Sequence, residues 1–184
     1  MMLRPILAVS TLLVALAPAG ASVVVIGGSF ARMCYQAADS PHSPTVETMA
    51  ACDRALGTER LTPADLVATY VNRGILRVRG GDFTGGIADF DAAIARDPSV
   101  GEAWFNRGVA FLRRDRAAEA LASFEAAVER GTERSALAFF GRAVAHEALG
   151  NLRAAYEDFR RATELEPGWE RPRAELARFA VAAD

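Results

Sequence analysis

Few residues of this sequence are of types that could catalyse a reaction or hold a metal. The two histidines are isolated from each other, because His42 falls in a proline-flanked loop and His146 in a predicted helix. The HExxH and CxxC metal-ligand spacings, the phosphate-binding glycine loop and the serine elbow are all missing from the sequence. We therefore expect no catalytic residue, no metal site and no small-molecule cofactor. An enzyme with an unrecognised site is the alternative.

The first residues have the pattern of a targeting segment. Arg4 supplies a positive charge, an apolar stretch runs from Ile6 to Leu16, and Ala19-Gly20-Ala21 provides the small residues typical of a cleavage site. We expect residues 1–21 to be a signal peptide of a periplasmic or secreted protein in the bacterial cell envelope. The alternative is an uncleaved anchor in the inner membrane, as in a membrane-tethered assembly factor, since no further charge occurs before position 32.

The export prediction bears on the pairing of the two cysteines, Cys34 and Cys52. An exported chain folds in an oxidising compartment, where two cysteines commonly form a disulfide bond. They lie on two predicted helices, residues 30–39 and 45–56, which flank a loop containing two prolines. In an antiparallel hairpin they could face one another, so we expect a Cys34–Cys52 disulfide within a segment and hairpin over residues 22–60. Two buried free thiols are the alternative.

Net charge argues against a nucleic-acid partner. The formal charge of the 184 residues is −2, and every basic residue is arginine, interspersed with acidic residues. Binding to a phosphate backbone requires a basic patch or stripe, which this pattern does not provide.

One pattern, made of an aromatic residue, small residues and a phenylalanine, occurs in three copies in the second part of the chain. The first and second copies are 34 residues apart, measured from Tyr70 to Trp104. The second and third copies are 35 residues apart, measured from Trp104 to Phe139. A period of this size predicts stacked helix pairs, since one pair cannot bury its own apolar face. The three copies are Tyr70, Gly74, Gly86, Phe90 and Ala93; Trp104, Gly108, Ala120, Phe124 and Ala127; and Phe139, Ala143, Ala155, Phe159 and Ala162.

At these positions the sequence resembles the tetratricopeptide repeat family. Gly81-Asp82-Phe83 and Gly150-Asn151-Leu152 extend the resemblance at turns, and Asp97-Pro98 and Glu166-Pro167 extend it at repeat ends. The resemblance implies an all-α fold, a right-handed superhelical solenoid of antiparallel helix pairs. Residues 61–184 would contain three repeats, about 67–100, 101–134 and 136–169, and a capping helix from about residue 170 to 182.

The resemblance also implies a concave groove, lined by the first helix of each repeat, that takes a peptide or helix from a protein partner. Asn72 and Asn106 could each hydrogen-bond an extended backbone as donor and acceptor. The lysine and asparagine clamp for C-terminal carboxylates is absent, because Val71 and Ile75 replace it. The predicted groove residues are Val71, Asn72, Ile75, Phe105, Asn106, Val109, Leu112, Phe140 and Val144. Alternatively, segments of the solenoid itself cover these residues.

Arginine recurs at one position of each repeat, as Arg73, Arg107 and Arg142. Asp89 and Asp158 would pair with the first and third of these within their own repeats. Ser123 occupies the corresponding position of the second repeat, so we expect Arg107 to lack this partner and to be the charged candidate for binding.

The apolar run from Val23 to Ile26 would be exposed at the start of a mature chain. We expect residues 22–28 to pack in extended form, either in the chain's own groove or along the N-terminal hairpin. The hairpin is favoured because it is nearer in sequence and needs less loop closure.

Overall fold

The computed structural model describes residues 22–25 and 27–180, so the predicted signal peptide, Ile26 and residues 181–184 lie outside the described residues. The described residues form helices joined by short turns, without a β-strand among them. In chain order the helices are α1 (Ser29–Asp39), α2 (Val46–Thr58), α3 (Pro63–Arg79), α4 (Phe83–Arg96), α5 (Gly101–Leu112), α6 (Ala117–Arg130), α7 (Ser135–Ala148), α8 (Leu152–Leu165) and α9 (Glu170–Ala180).

Local sequence explains where several helices begin. Thr45 precedes α2 and forms a capping box, in which its side chain accepts the Thr48 N–H while its own N–H is bonded by the Thr48 hydroxyl. Thr62 accepts the Asp65 N–H at the start of α3, where Pro63 occupies the first turn. These caps satisfy backbone donors that the first helical turn cannot pair internally.

The helices pack as consecutive antiparallel pairs. The pairs are α1 with α2, α3 with α4, α5 with α6 and α7 with α8, and α9 closes the stack against α8. The second helix of each pair packs on the first helix of the next, while the first helices also contact one another along one face. The result is an all-α helical repeat solenoid, as the sequence predicts.

Glycines allow the helices of a pair to approach closely. A Cβ atom at Gly74 would lie 2.5 Å from the Phe90 ring, and a Cβ atom at Gly108 would lie 2.9 Å from the Phe124 ring. Phe90 and Phe124 are fully buried at these crossings. The repeated small residue and phenylalanine are therefore two halves of one packing contact.

The N-terminal hairpin of α1 and α2 contains the predicted disulfide. Cys34 and Cys52 are bonded, with Cα atoms 4.8 Å apart, and both are fully buried. In α2, Cys52 corresponds to the repeated phenylalanine, because the next residue, Asp53, pairs with Arg73 as Asp91 pairs with Arg107. The disulfide thus replaces the phenylalanine contact in a degenerate first unit.

Among the described residues, no helix is both long enough and apolar enough to cross a membrane.

Candidate functional site

The N-terminal segment, residues 22–25, is bound by a side chain of the first repeat. Asn72 accepts the Val23 N–H through Oδ1 at 2.9 Å and donates from Nδ2 to the Val23 carbonyl oxygen at 2.7 Å. One amide thereby pairs both backbone groups of a residue 49 positions away in sequence. Asn72 is fully buried, so this pairing satisfies a polar group that would otherwise be costly to bury.

The segment runs between α1 and α3, antiparallel to both helices. Ser22 donates through its hydroxyl to Asp39 at the C-terminal end of α1, at 2.9 Å. At the other end, a Cβ atom at Gly27 would lie 2.8 Å from the carboxylate of Asp65, near the start of α3. Because α1 and α3 are the first helices of adjacent units, this path follows the face that the first helices share.

Apolar side chains of the segment alternate between the protein and solvent. Val25 is only 5% exposed and belongs to a buried cluster with Ala31, Ala55 and Ala68. Val24 points away and is 64% exposed. Val23 is partly buried against this cluster and against the neighbouring core. This alternation is that of an extended strand with one buried face.

The structure combines the two positions that the sequence offered for this segment. Its backbone is held by Asn72 of the predicted groove, while Val25 packs against the hairpin residues Ala31 and Ala55. Val71 and Ile75, predicted to line the groove, are buried in the core against which Val23 packs. The chain's own segment therefore occupies the first-repeat part of the predicted groove.

The other predicted groove residues lie on α5 and α7. Phe105 packs on Phe124, and Phe140 packs on Phe159 and Trp169, so both rings belong to the interior. Leu112 and Val144 are buried in the same cluster, and Val109 is half-buried beside it. Asn106 is buried and donates to the Glu102 carbonyl oxygen, one turn back in its own helix.

Two of the repeated arginines pair within their repeats, as the sequence predicts. Arg73 bonds both oxygens of Asp89, and Arg142 bonds both oxygens of Asp158, with distances between 2.6 and 2.9 Å. For Arg142 the hydrogen bonds with Asp158 raise the guanidinium pKa above its ordinary value. For Arg73 burial alone would lower the pKa, and the bonds to Asp89 and Asp53 outweigh it. These arginines join the two helices of a pair.

Arg107 has no aspartate partner within its own repeat, as expected from Ser123, but other groups bind its guanidinium. Arg107 donates to the Ser123 hydroxyl at 3.1 Å and to Asp91 of the preceding repeat at 2.7 Å, and it lies over the Trp104 ring. Because Ser123 offers a hydroxyl in place of a carboxylate, the guanidinium has no charged acceptor within its own repeat. Stacking of the repeats brings the carboxylate of Asp91 within hydrogen-bond distance instead. Arg107 is thus a structural link between repeats.

Sequence reasoning missed the two residues that hold the ends of α1. Glu59 accepts the backbone N–H groups of Phe30 and Ala31 at the helix start, at 3.0 and 3.1 Å. Arg79 donates to carbonyl oxygens at the helix end, including those of Ala38 and Ser40. Both partners lie far away in sequence, so no local motif points to them. Together with the disulfide they fix the hairpin that forms one side of the segment's binding position.

Burial and hydrogen bonding shift the pKa values of Glu59 and Arg79 from their ordinary values. Burial by itself would raise the pKa of Glu59, but hydrogen bonds from Phe30, Ala31 and Ser29 outweigh it and hold the pKa below its ordinary value. Burial lowers the pKa of Arg79. In the part of the chain that the structure describes, no group of three His, Cys, Asp or Glu side chains could hold a metal ion.

Family models agree with this architecture. Models described as tetratricopeptide repeat match residues 71–134 and 136–169. The chain belongs to the tetratricopeptide repeat family. Repeats of this class mediate contacts between proteins, so the chain is a protein-interaction module. No curated protein matches the sequence.

Solved structures of tetratricopeptide repeat domains are similar to this chain. The first repeat domain of Spaghetti (RPAP3), bound to the HSP90 peptide SRMEEVD, is 25% identical, with a TM-score of 0.60 over 63% of this chain and 91% of that one. The second repeat domain of human RPAP3, in complex with the HSP70 peptide SGPTIEEVD, is 26% identical, with a TM-score of 0.60 over 64% and 97%. MamA, at 19% identity, shares the fold with a TM-score of 0.63 over 70% and 72%.

Proposed function

We propose that this protein is a non-catalytic scaffold whose concave face binds an extended segment of a protein partner. The observation that carries the proposal is the pairing of Asn72 with both backbone groups of Val23. A primary amide offers a donor and an acceptor in one plane, which matches the N–H and C=O of an extended residue. Because this pairing uses only backbone groups, it would accept any partner residue in the same conformation.

The similar structures support a peptide as the ligand class, because two RPAP3 domains are bound to chaperone peptides. The ligand of this chain differs from those peptides in its end group. Val71 and Ile75 stand where clamp residues for a C-terminal carboxylate would be expected, and both are apolar and buried. We therefore propose an internal extended segment as the ligand.

The proposed location is outside the cytoplasm. The targeting pattern of residues 1–21 supports export, and the disulfide between Cys34 and Cys52 supports folding in an oxidising compartment. A periplasmic or secreted scaffold is the form we favour, with an inner-membrane-anchored assembly factor as the alternative if residues 1–21 are retained.

Site-specific photo-crosslinking in cells that naturally make the protein tests the binding face. A photoreactive residue at position 109, where half-buried Val109 lies between the predicted groove residues Asn106 and Leu112, should cross-link to a partner, and mass spectrometry should map the adduct to one extended segment. The matched control is position 122, because Ala122 is exposed on α6, the second helix of its pair. Equal yields at both positions, or adducts scattered over many proteins, would contradict the proposal.

A further inference from the structure

The position of residues 22–25 has the features of a built peptide site. Its backbone is bonded by the fully buried Asn72, and its Val25 side chain belongs to a buried cluster with three alanines. Ala31, Ala55 and Ala68 share this buried cluster with Val25 and come from three different helices, α1, α2 and α3. A site assembled from three elements around one side chain is more selective than a flat apolar face.

The geometry of this site determines which ligand sequence fits it. A residue held by Asn72 is followed by one that faces solvent and then by one that enters the alanine cluster, because side chains alternate along an extended chain. A β-branched residue such as Val25 fits this cluster, and its stiff side chain loses little freedom on binding. An acidic residue at the same point would be buried without a partner.

We propose that the N-terminal segment is an intramolecular pseudo-ligand and that the partner carries an extended segment with a β-branched apolar residue two positions after the residue held by Asn72. This proposal rests on the proposed function and names the ligand of that same site. The partner segment would replace residues 22–25 by forming the same backbone pair and filling the same alanine cluster.

Tethering makes the chain's own segment an effective competitor. Only a few residues join Val25 to α1, so the local concentration of the segment at its site is on the order of millimolar. A free peptide of equal fit would bind poorly to the wild-type chain for this reason alone. Weakening the tethered segment should therefore uncover binding of the free one.

The test uses the full chain and a labelled synthetic peptide with the sequence of residues 22–28, extended by arginines for solubility. Val25→Asp should release the tethered segment, since it places a carboxylate in the alanine cluster. Val24→Asp is the matched control, because Val24 is 64% exposed and carries the same chemical change. By fluorescence anisotropy we expect the Val25→Asp chain to bind the peptide about tenfold more tightly than the wild-type and Val24→Asp chains.

A second variant keeps the test decisive. Adding Asn72→Ala to the Val25→Asp chain should reduce peptide binding about tenfold, because both backbone bonds are lost. Circular dichroism should show unchanged helicity in each variant, and a peptide with aspartate in place of Val25 should not bind any of them.

Three results would overturn the proposal. One is equal binding by all variants, and another is no binding by the Val25→Asp chain while its helicity is intact. The third is a wild-type dimer that becomes a monomer on Val25→Asp, which would make a second copy of this chain the occupant. The photo-crosslinking experiment does not use this peptide, so a groove adduct combined with failed peptide binding would reject the pseudo-ligand and leave the proposed function standing.

Discussion

At the residue scale, single side chains reach across the sequence to complete the ends of α1. Glu59 lies at the positive end of the helix and Arg79 at the negative end. An anion at a helix start and a cation at a helix end both interact favourably with the helix dipole. The hydrogen bonds also satisfy backbone groups that the helix cannot pair internally. These two residues orient α1, and Ala31 of α1 forms part of the site that holds the N-terminal segment.

Glu59→Gln should lower stability at neutral pH and have no effect in acid. Glutamine keeps the shape of the side chain, but its amide nitrogen cannot accept an N–H. We expect a loss of about 0.5–1 kcal/mol at pH 7, the lower part of the range for helix caps, because Glu59 is partly exposed to solvent. Denaturant unfolding at pH 7 measures this loss, and Glu166→Gln, at an exposed carboxylate, is the control.

The pH dependence follows from the lowered pKa of Glu59. A carboxylate with a lowered folded-state pKa stabilises the fold above its ordinary pKa of 4.5 and loses that contribution as pH falls through the folded value. Wild-type and Glu59→Gln stabilities should therefore converge once the pH falls below the folded-state pKa of Glu59, which lies under its ordinary value. A difference that stays constant from pH 7 to pH 3 would show that the effect is not due to the charge.

At the element scale, the N-terminal hairpin is a repeat whose central packing contact is covalent. The phenylalanine at the other crossings is replaced by Cys52, and the facing residue on α1 is Cys34. Small alanines elsewhere on the hairpin leave the space that Val25 enters. A covalent bond can hold the two helices where a large ring would otherwise fill the gap.

Breaking this disulfide should loosen the hairpin and the segment together. The bond joins residues 18 positions apart, for which the chain-entropy estimate is about 3 kcal/mol. Denaturant midpoints with and without reductant measure the loss, and a Cys34→Ala/Cys52→Ala chain should be insensitive to reductant. Finding two free thiols by alkylation and mass spectrometry of the non-reduced protein would count decisively against the bond.

The helix crossings set a second test at this scale. Gly108→Leu should destabilise the protein by more than about 2 kcal/mol, because the new side chain would meet the Phe124 ring from a Cβ atom 2.9 Å away. Gly57→Leu is the matched control, since Gly57 is exposed in α2 and a Cβ atom there would have no neighbour within 4 Å. An unchanged denaturant midpoint for Gly108→Leu would refute the close crossing.

The elements were more predictable than the contacts between them. The 34-residue spacing of Tyr70 and Trp104 reveals the helix pairs because each pair repeats the same internal contacts. The partner of Arg107 could not be found this way, since Asp91 comes from the neighbouring unit and only the stacking geometry brings it near. The amide of Asn72 and its position in the repeat are enough to predict that it binds a backbone. The sequence does not predict that Asn72 binds the segment at Val23. That contact depends on the path of the chain around the hairpin.

At the scale of the whole molecule, the solenoid is a row of units tied to their neighbours. Arg73 links the first repeat to Asp53 of the hairpin, and Arg107 links the second repeat to Asp91 of the first. The N-terminal segment adds a further tie, because it contacts both the hairpin and the first repeat. The binding position thus lies between two units, so binding of the segment depends on how the hairpin and the first repeat stack.

The last prediction concerns the start of the mature protein. We expect the protein purified from its native cells to begin at Ser22, because the small residues before this position have the pattern of a cleavage site. Cleavage would create an ammonium group on the residue whose hydroxyl already bonds Asp39, at the C-terminal end of α1. A cation is stabilised there by the carboxylate and by the helix dipole.

Cleavage should therefore strengthen docking of the segment. Intact-mass measurement gives the first residue, and hydrogen exchange of the Val23 amide should be slower in the cleaved chain than in the precursor. Asp39→Asn should remove most of this difference while leaving the Asn72 contact in place. A mass that includes residues 1–21 would instead support the membrane-tethered form, in which no ammonium arises at Ser22 and docking depends on Asn72 and Val25 alone.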